Sequence, residues 1–549
     1  MTQTVLHNPK HQAPIINNNI SSNRWLENSF VGAIFLAGIL LRVYQLPSQI
    51  IADDEWHALY RAMIVNYSHI ATHFGYADYS IPLTLYYKIL SETVGLSEIS
   101  MRLPSLIAGI FTPIVIPLLW RKHLDRNSYL FFVVMLTVSP LLIYFSRIAR
   151  PYAITMLLSS TALVAAYRWW YELHNRWAIV YIFCTALAAY FHLASLLFTL
   201  VPVLICGSHA IGSALVGDKV LLLRIIYLSF FLLAALAVVV GPPLYVDHVE
   251  FMSKGGVQSV KSHSLAGAVH LWAGTGNHLL LLVLMFVGLI GLTTMWNTDR
   301  TWFAWCAICS VIMFISVVVS RSAGIDEAIV LARYAIPIVP VLLMVIANGA
   351  SRIFQLAQEG MGRYFASIVL GVGLFFMGPL PDQTYYPNQF TGHMYFQSEY
   401  RFHANPYRYL RPHQIPEFYL TLSQLQPASI NIVVAPWRYE WHRVNQNFYQ
   451  EKHRQNIKIG FLGNLCGNDW RGYTGEYPVE ARGLSFMNFV HLGEVISGDD
   501  EWGDYVVFHN GPPNAYDQTS EALYCIDIFR DRYGDPLFED SDITVFSLR

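Results

Sequence analysis

The sequence predicts a polytopic α-helical membrane protein of about eleven transmembrane helices, followed by a soluble C-terminal α/β domain. Three observations predict it. Of 549 residues, 54% are hydrophobic and only 13% charged, where a soluble chain carries about 25% charged residues. The charge is unevenly divided: residues 1–380 hold 22 Lys/Arg and 16 Asp/Glu, and residues 381–549 hold 13 and 21, which roughly doubles the density. The first part also breaks into apolar runs close to the ~20 residues that a helix needs to cross hydrocarbon. This composition excludes a cytosolic enzyme and a disordered chain. A net charge of -2 and a pI near 6.8 leave no basic field, so no nucleic-acid partner is expected.

The segment 1–29, with Asn17-Asn18-Asn19, has no signal-peptide cleavage pattern and reads as a cytoplasmic tail. Apolar spans follow at 30–46, 103–120, 128–146, 151–167, 177–191, 194–210, 225–243, 279–296, 302–320, 335–350 and 365–380. With the N-terminus inside, every inner loop is basic: Arg121, Lys122 and Arg126; Arg168 and Arg176; Lys219 and Arg224; Arg300; Arg352 and Arg363. Eleven crossings then place 381–549 on the periplasmic or extracellular side of the plasma (inner) membrane. Pro379 and Pro381 mark the boundary between the membrane domain 30–380 and this outer domain. The connection 47–102 is too long for an idle loop. Its stretches Tyr60 to Tyr67 and Pro82 to Leu96 carry helical patterns suited to the outer interface.

The chemistry is sought on that outer face. Asp53-Asp54-Glu55 directly follows the first span, and three acids at a membrane boundary are costly unless solvated, paired or used. They could equally cap the next helix. Ser146-Arg147-Ile148-Ala149-Arg150-Pro151-Tyr152 places two arginines at an outer turn, against the charge rule that the inner loops obey. Arginine's planar fork suits a phosphate, although such residues also snorkel to headgroups. Ala332-Arg333-Tyr334-Ala335 sets a cation beside a hydroxyl at another outer helix start, and His192 stands at the outer end of the fifth span. These too have ordinary readings, as an interfacial belt and a helix-end histidine.

Taken together, "IADDEWHALYRA", "LTLYYKIL", "SEISMRLPSLIAGIFT", "SPLLIYFSRIARPYAI", "AYFHLASLLF" and "ARYAIPIVPVLL" resemble the GT-C superfamily of membrane glycosyltransferases, family 39 type. That group contains the protein O-mannosyltransferases and aminoarabinose transferases, and the resemblance covers most of 30–350. It implies transfer of a sugar, with inversion, from a polyprenyl-phosphate carrier to an acceptor hydroxyl on a lipid, polysaccharide or protein at the outer face. It also implies contact with membrane lipids. The family's Asp-Glu pair falls on Asp54 and Glu55, with Asp54 as general base. Its carrier-phosphate contacts fall on Arg150, Arg333, Tyr334, His192 and the neighbouring Arg147, and its Ala-Arg motif extends to Tyr152 and Ala153. A divalent metal, with Asp53 and Glu55 as candidate ligands, is compatible with this pattern. Two positions depart from it: Ile148 replaces an acid common in relatives, and Ser80-Ile81-Pro82 lacks the His or Lys that relatives place before the proline. The alternative from another class is a transporter or flippase of lipid-linked sugars. A transporter would show repeated halves and midplane charge, neither of which is visible here.

In the outer domain Asn431 to Ala435, Ile457 to Leu462, Tyr505 to His509 and Ile543 to Leu548 read as strands, and Pro416 to Leu425 as a helix. Trp437, Tyr439, Trp441, Trp470 and Trp502 could stack on sugars or complete a core. Cys306-x-x-Cys309 sits on an apolar span and reads as packing. Cys466 and Cys525 share the outer domain, where a disulfide is possible.

Overall fold

The computed structural model describes residues 24–44, 46, 58, 62, 65–74, 80–94, 98–217, 219–253, 256, 258–322, 324–355, 362–378, 380, 415–427, 429–435, 449, 452–461, 489–491, 503–509 and 519–549. Single turns aside, the helices are α1 (Arg24–Val43), α2 (Tyr67–Thr72), α3 (Ile81–Glu92), α4 (Glu98–Trp120), α5 (Arg126–Val138), α6 (Pro140–Ser146), α7 (Tyr152–Glu172) and α8 (Asn175–Phe191). After the turn Leu193–Thr199 come α9 (Val201–Leu215), α10 (Val220–Val239), α11 (Gly241–Val246), α12 (His248–Ser253) and α13 (Ser262–Ala273). Then follow α14 (His278–Thr298), α15 (Arg300–Ser320), α16 (Ala328–Tyr334), α17 (Val339–Gln355) and α18 (Gly362–Phe376).

Each of the eleven expected spans coincides with a helix or helix pair. Among the described residues, 7 helices are long and apolar enough to cross a membrane, or 8 if the bent pair α5–α6 counts as one. The chain is an integral membrane protein. The shorter or more polar α7, α8 and α18 occupy the other three expected spans.

Local chemistry explains the boundaries. Asp125 accepts from the N–H groups of Asn127 and Ser128 to start α5, Asn277 does the same for Leu279 and Leu280 of α14, and Asp299 caps α15 through Trp302 N–H. Pro140 cannot donate to a continuing helix, and the α5–α6 pair bends there by 54°. This bent pair is buried along nearly its whole length. Arg42, itself fully buried, spans the break by donating to the carbonyls of Gly38, Leu136 and Thr137. Gly274 at φ 74 closes α13 against Pro140, where an added Cβ would come 2.8 Å from Pro140 Cδ.

Helices α14 and α17 cross at very close range. A Cβ at Gly291 would stand 1.8 Å from the Val345 carbonyl oxygen, and one at Gly349 would stand 1.9 Å from that of Val287. Backbones can approach this closely in lipid only where small residues meet.

The two ends of the bundle differ. At one end Glu27 pairs with Arg121 and Arg126, Lys122 with Glu172 (2.6 Å), and His123 with Asp299 (2.7 Å). The expected inner-loop cations Arg121, Lys122 and Arg126 are therefore gathered together. At the other end lie the ends of α1, α6 and α8 and the starts of α4, α7 and α17.

The C-terminal region holds a six-stranded sheet of order β3-β2-β1-β4-β6-β5. Its strands are β1 (Asn431–Ala435), β2 (Asn456–Phe461), β3 (Phe489–His491), β4 (Tyr505–His509), β5 (Phe538–Glu539) and β6 (Ile543–Ser547). β3, β2, β1 and β4 are parallel, with Ile432 opposite Tyr505, while β6 and β5 run antiparallel. Helix α19 (Glu417–Leu422) packs on one face through Phe418, Tyr419 and Leu422, and α20 (Thr519–Tyr533) covers the other through Cys525, Ile526 and Phe529.

Candidate active site at one end of the bundle

Three separate turns bring the sequence-identified residues together. The first is the bend between α6 and α7. Here Arg147 N–H closes on the Tyr144 carbonyl and Arg150 N–H on that of Ile148, at 2.9 and 2.8 Å, and Pro151 then opens α7 at Tyr152. The second is the end of α8, where His192 leaves the helix with extended backbone. The third is the end of α16, where Arg333 and Tyr334 precede the turn into α17.

These turns meet on the ring of Tyr152, which is 1% exposed. The Arg333 guanidinium lies 5.6 Å and that of Arg150 5.7 Å from its centre, while Arg150 Nη2 donates to the Tyr152 hydroxyl at 3.3 Å. The His192 ring is 5.4 Å from Tyr152 and 5.5 Å from Tyr334, and Arg333 lies 5.7 Å from the Tyr334 ring. Phe145 supports Tyr152 edge-on at 4.8 Å. Arg150, Tyr152 and Tyr334 are buried, and Arg333 and His192 half-buried. Two permanent cations held on one ring in an apolar surround concentrate positive potential, which suits carboxylates, a phosphate or both.

Backbone contacts fix this geometry. Ser105 Oγ donates to the Arg150 carbonyl at 2.6 Å, and the Tyr87 hydroxyl donates to that of Ala149 at 3.0 Å. On the other side Trp272 Nε1 donates to the Ala332 carbonyl at 3.3 Å. Lys261 pairs with Asp326 at 2.9 Å, and Ser264 Oγ donates to the Asp326 carbonyl, so α13 holds the segment that carries Arg333.

Arg147 is placed differently from Arg150. Its Nη1 donates to the carbonyls of Arg42 and Tyr44 at 2.8 and 3.0 Å, tying the end of α1 to the bend. Asp53, Asp54 and Glu55 lie outside the described residues. Ala58 and Ala62, which follow them, are buried in one apolar cluster with Leu83, Tyr87, Met101, Ala149 and Ala153. Among the described residues no group of three or more His, Cys, Asp or Glu could hold a metal ion. Candidate metal ligands Asp53 and Glu55 fall outside that set.

Sequence reasoning assigned Tyr152 to a motif without making it the hub, although its place directly after Arg150-Pro151 marks it as the first helical residue beside the cation. Ser105, Tyr87 and Trp272 carried no signal, because each acts through a backbone carbonyl far away in sequence. Cys306 and Cys309 are buried free thiols. Cys525 is disulfide-bonded, and Cys466 lies outside the described residues, as do Trp437, Tyr439, Trp441, Trp470 and Trp502.

No protein-family model and no curated protein sequence matches the chain. Solved structures do. The crystal structure of ArnT from Cupriavidus metallidurans in the apo state matches with TM-score 0.58 at 12% identity, covering 96% of this chain and 98% of that one. The crystal structure of the same protein bound to undecaprenyl phosphate matches with TM-score 0.56 at 12% identity, covering 96% and 99%. Both matches run over nearly the full length of each chain, and this chain is an integral membrane protein with the fold of those ArnT structures.

Proposed function

We propose that the chain is an inverting glycosyltransferase that moves a sugar from a polyprenyl-phosphate carrier to an acceptor hydroxyl on a lipid, polysaccharide or protein. The reaction is placed at the non-cytoplasmic end of the bundle. The observation that carries this reading is the convergence of Arg150, Arg333, His192 and Tyr334 on Tyr152. That a protein of the same fold has been crystallised with undecaprenyl phosphate supports a lipid-phosphate ligand.

A sugar on a lipid phosphate already has a leaving group, provided donors placed beforehand meet the charge that develops on the departing oxygen. Arg150 and Arg333 supply permanent charge, and Tyr334 and His192 supply adjustable donors. Asp54 is the proposed general base, taking the acceptor's proton as its oxygen attacks the anomeric carbon from the face opposite the phosphate. Four positions after Asp54 in the sequence, Ala58 is buried in the cluster of Ala149 and Ala153. Inversion in one displacement needs no covalent enzyme intermediate. Residues 30–380 carry this chemistry, and 381–549 form the outer domain. A bonded Cys525 beside four free thiols in the bundle agrees with an oxidising compartment for that domain.

The test is reconstitution of the full chain with a polyprenyl-phosphate sugar and envelope lipid extract, the products read by mass spectrometry. Wild type is expected to form a new glycoside, and Asp54→Asn to lose at least about 100-fold in rate at unchanged abundance. Movement of intact lipid-linked sugar between leaflets without a new glycosidic bond would replace the enzyme by the transporter reading. Full activity in Asp54→Asn would remove Asp54 from the mechanism.

A further inference from the structure

A cleft of about 450 Å³ opens away from the arginine–tyrosine cluster, beside the last turns of α7. It is lined by Ser208, His209, Gly212, Ser213 and Val216, whose spacing puts them on one face at the end of α9. Trp170 of α7 stands next to it, 6.4 Å from the His209 ring, and Trp169 lies 5.9 Å from Trp170. Trp169 is seventeen residues along α7 from Tyr152, or about 25 Å at the helical rise. Cleft and proposed reaction centre therefore lie toward opposite ends of the bundle. The Lys122–Glu172 pair marks the cleft's end as the basic one.

Positive charge gathers there without matching acceptors. Helix α10 packs back along α9, and Gly212 and Arg224 are each about six residues from the middle of the turn between them, so both stand about 9 Å from that turn. Arg224 is half-buried, and its guanidinium lies 5.1 Å from the ring of buried Trp169. Among the described residues no acceptor meets it, and its buried Nη2 is unpaired. Exposed Lys219, three residues after Val216, has no partner among the described residues either. Arg168 and Arg176 flank Trp177 at 4.7 and 5.6 Å. Glu172, the carboxylate of this turn, is already taken by Lys122 and by Trp177 Nε1; Asp218 lies outside the described residues. Leu204, Ile211 and Leu215 run exposed along α9 beside the cleft.

We propose that this cleft binds the headgroup of an anionic phospholipid, from the leaflet on the side of the bundle away from the reaction centre. Arg224 and Lys219 meet the phosphate charge, and His209 and the Ser213 hydroxyl hydrogen-bond the headgroup. The acyl chains lie over Leu204, Ile211 and Leu215. Three features select this class of ligand. An arginine at a membrane interface needs an anion or water for its donors, and its planar fork fits a phosphate. Basic pockets between helices on the inner side of a membrane suit acidic headgroups. The donors stand beside an exposed apolar face, which a free anion would leave uncovered. A zwitterionic lipid carries its own cation into a site already rich in them, so it is disfavoured. The site does not depend on the glycosyltransferase reading.

The test titrates the purified full chain in detergent with phosphatidylglycerol, phosphatidylcholine or inorganic phosphate. Native mass spectrometry reads retained lipid, and thermal shift reads the unfolding midpoint. Wild type is expected to hold phosphatidylglycerol at least about tenfold more tightly than phosphatidylcholine, and to be stabilised by it alone. Arg224→Gln is expected to weaken phosphatidylglycerol binding by at least about tenfold. Arg352→Gln removes an exposed cation from the last turn of α17, which packs on α5 and α14, and should stay within about threefold of wild type. Gly212→Leu fills the cleft. An added Cβ there meets nothing within 4 Å, so the lipid-free midpoint is expected to hold while phosphatidylglycerol retention falls. Equal losses in Arg224→Gln and Arg352→Gln would reduce the effect to general surface charge and overturn the proposal. Equal retention of the two lipids, or wild-type retention by Gly212→Leu, would overturn it as well. Stabilisation by inorganic phosphate as large as by phosphatidylglycerol would give the cations to a free anion and remove the lipid. Should Arg224→Gln fail to fold, Gly212→Leu decides.

Discussion

The Arg333 guanidinium stands 5.6 Å from the centre of the Tyr152 ring, joining the end of α16 to the start of α7. Arg150 approaches the same ring to 5.7 Å and also bonds its hydroxyl. Tyr152 therefore serves two cations through its face and one through its oxygen. Tyr152→Phe keeps the face and loses the 3.3 Å hydrogen bond, and carrier-phosphate binding is expected to weaken by no more than about fivefold. Tyr152→Leu removes both, and with two cation–π contacts worth about 1 kcal/mol each the loss should exceed about tenfold. Titration with undecaprenyl phosphate measures this, and equal behaviour of the two variants would show that the ring face does not organise the site.

Arg147 and Arg150 are indistinguishable by residue type, yet the bend turns one to α1 and the other to Tyr152. Arg147→Gln leaves the buried Arg42 carbonyl and the part-buried Tyr44 carbonyl without a charged donor, and is expected to lower stability by about 2–4 kcal/mol. Arg333→Gln, half-buried and at the cluster, should leave thermal stability within experimental scatter and weaken carrier binding instead. Unfolding midpoints and phosphate affinities measured on the same preparations separate the two roles. A stable Arg147→Gln with lost phosphate binding would return Arg147 to the ligand.

Crossing lengths could be read from composition, because the bilayer sets one length for every span, and each of the eleven apolar runs became a helix or a bent pair. Strands β1 and β4 matched the expected Asn431 to Ala435 and Tyr505 to His509 because parallel central strands are continuous apolar runs. Strands β3 and β5, of 3 and 2 residues, are too short for periodicity to register, and α20 hides its buried stripe among Glu521, Asp527 and Asp531. In the site, residue types marked Arg150, His192, Arg333 and Tyr334. Their meeting on Tyr152 depends on helix packing that no local window encodes. The different fate of Arg147 turns on one bend at Ile148.

The α14–α17 crossing gives a packing prediction with its own control. Gly291→Ala would drive a methyl to 1.8 Å from the Val345 carbonyl oxygen, a backbone atom that cannot swing aside. The helices must separate, which should cost about 3 kcal/mol or more and lower yield and unfolding temperature together. Gly32→Ala, where an added Cβ meets nothing within 4 Å, should be neutral or slightly stabilising. Thermal unfolding of both variants in detergent decides it, and a Gly291→Ala protein as stable as Gly32→Ala would mean that the helices do not cross at this distance.

The C-terminal sheet carries a titratable group with a definite sign. His453 is 1% exposed, stacks on Tyr419 at 5.1 Å, and accepts the Gln455 N–H on Nδ1 at 3.0 Å. Tyr419 in turn stacks on Tyr449 at 4.8 Å and hydrogen-bonds His509 at 2.9 Å, so His453 stands at the edge of a stack of aromatic rings. Burial lowers the His453 pKa from 6.5 to about 4. A base whose folded value is depressed resists protonation in the fold, so its full contribution is present above about pH 6.5. That contribution is lost as pH falls from 6.5 toward 4, by an amount on the order of 3 kcal/mol. Hydrogen exchange of the β1 and β4 amides in the full chain, corrected for the intrinsic pH dependence of exchange, should therefore show falling protection across that window. His453→Gln should flatten the slope while keeping an acceptor for the Gln455 N–H. A wild-type sheet equally protected at pH 6.5 and 4.5 would show that His453 is not held neutral by its surroundings.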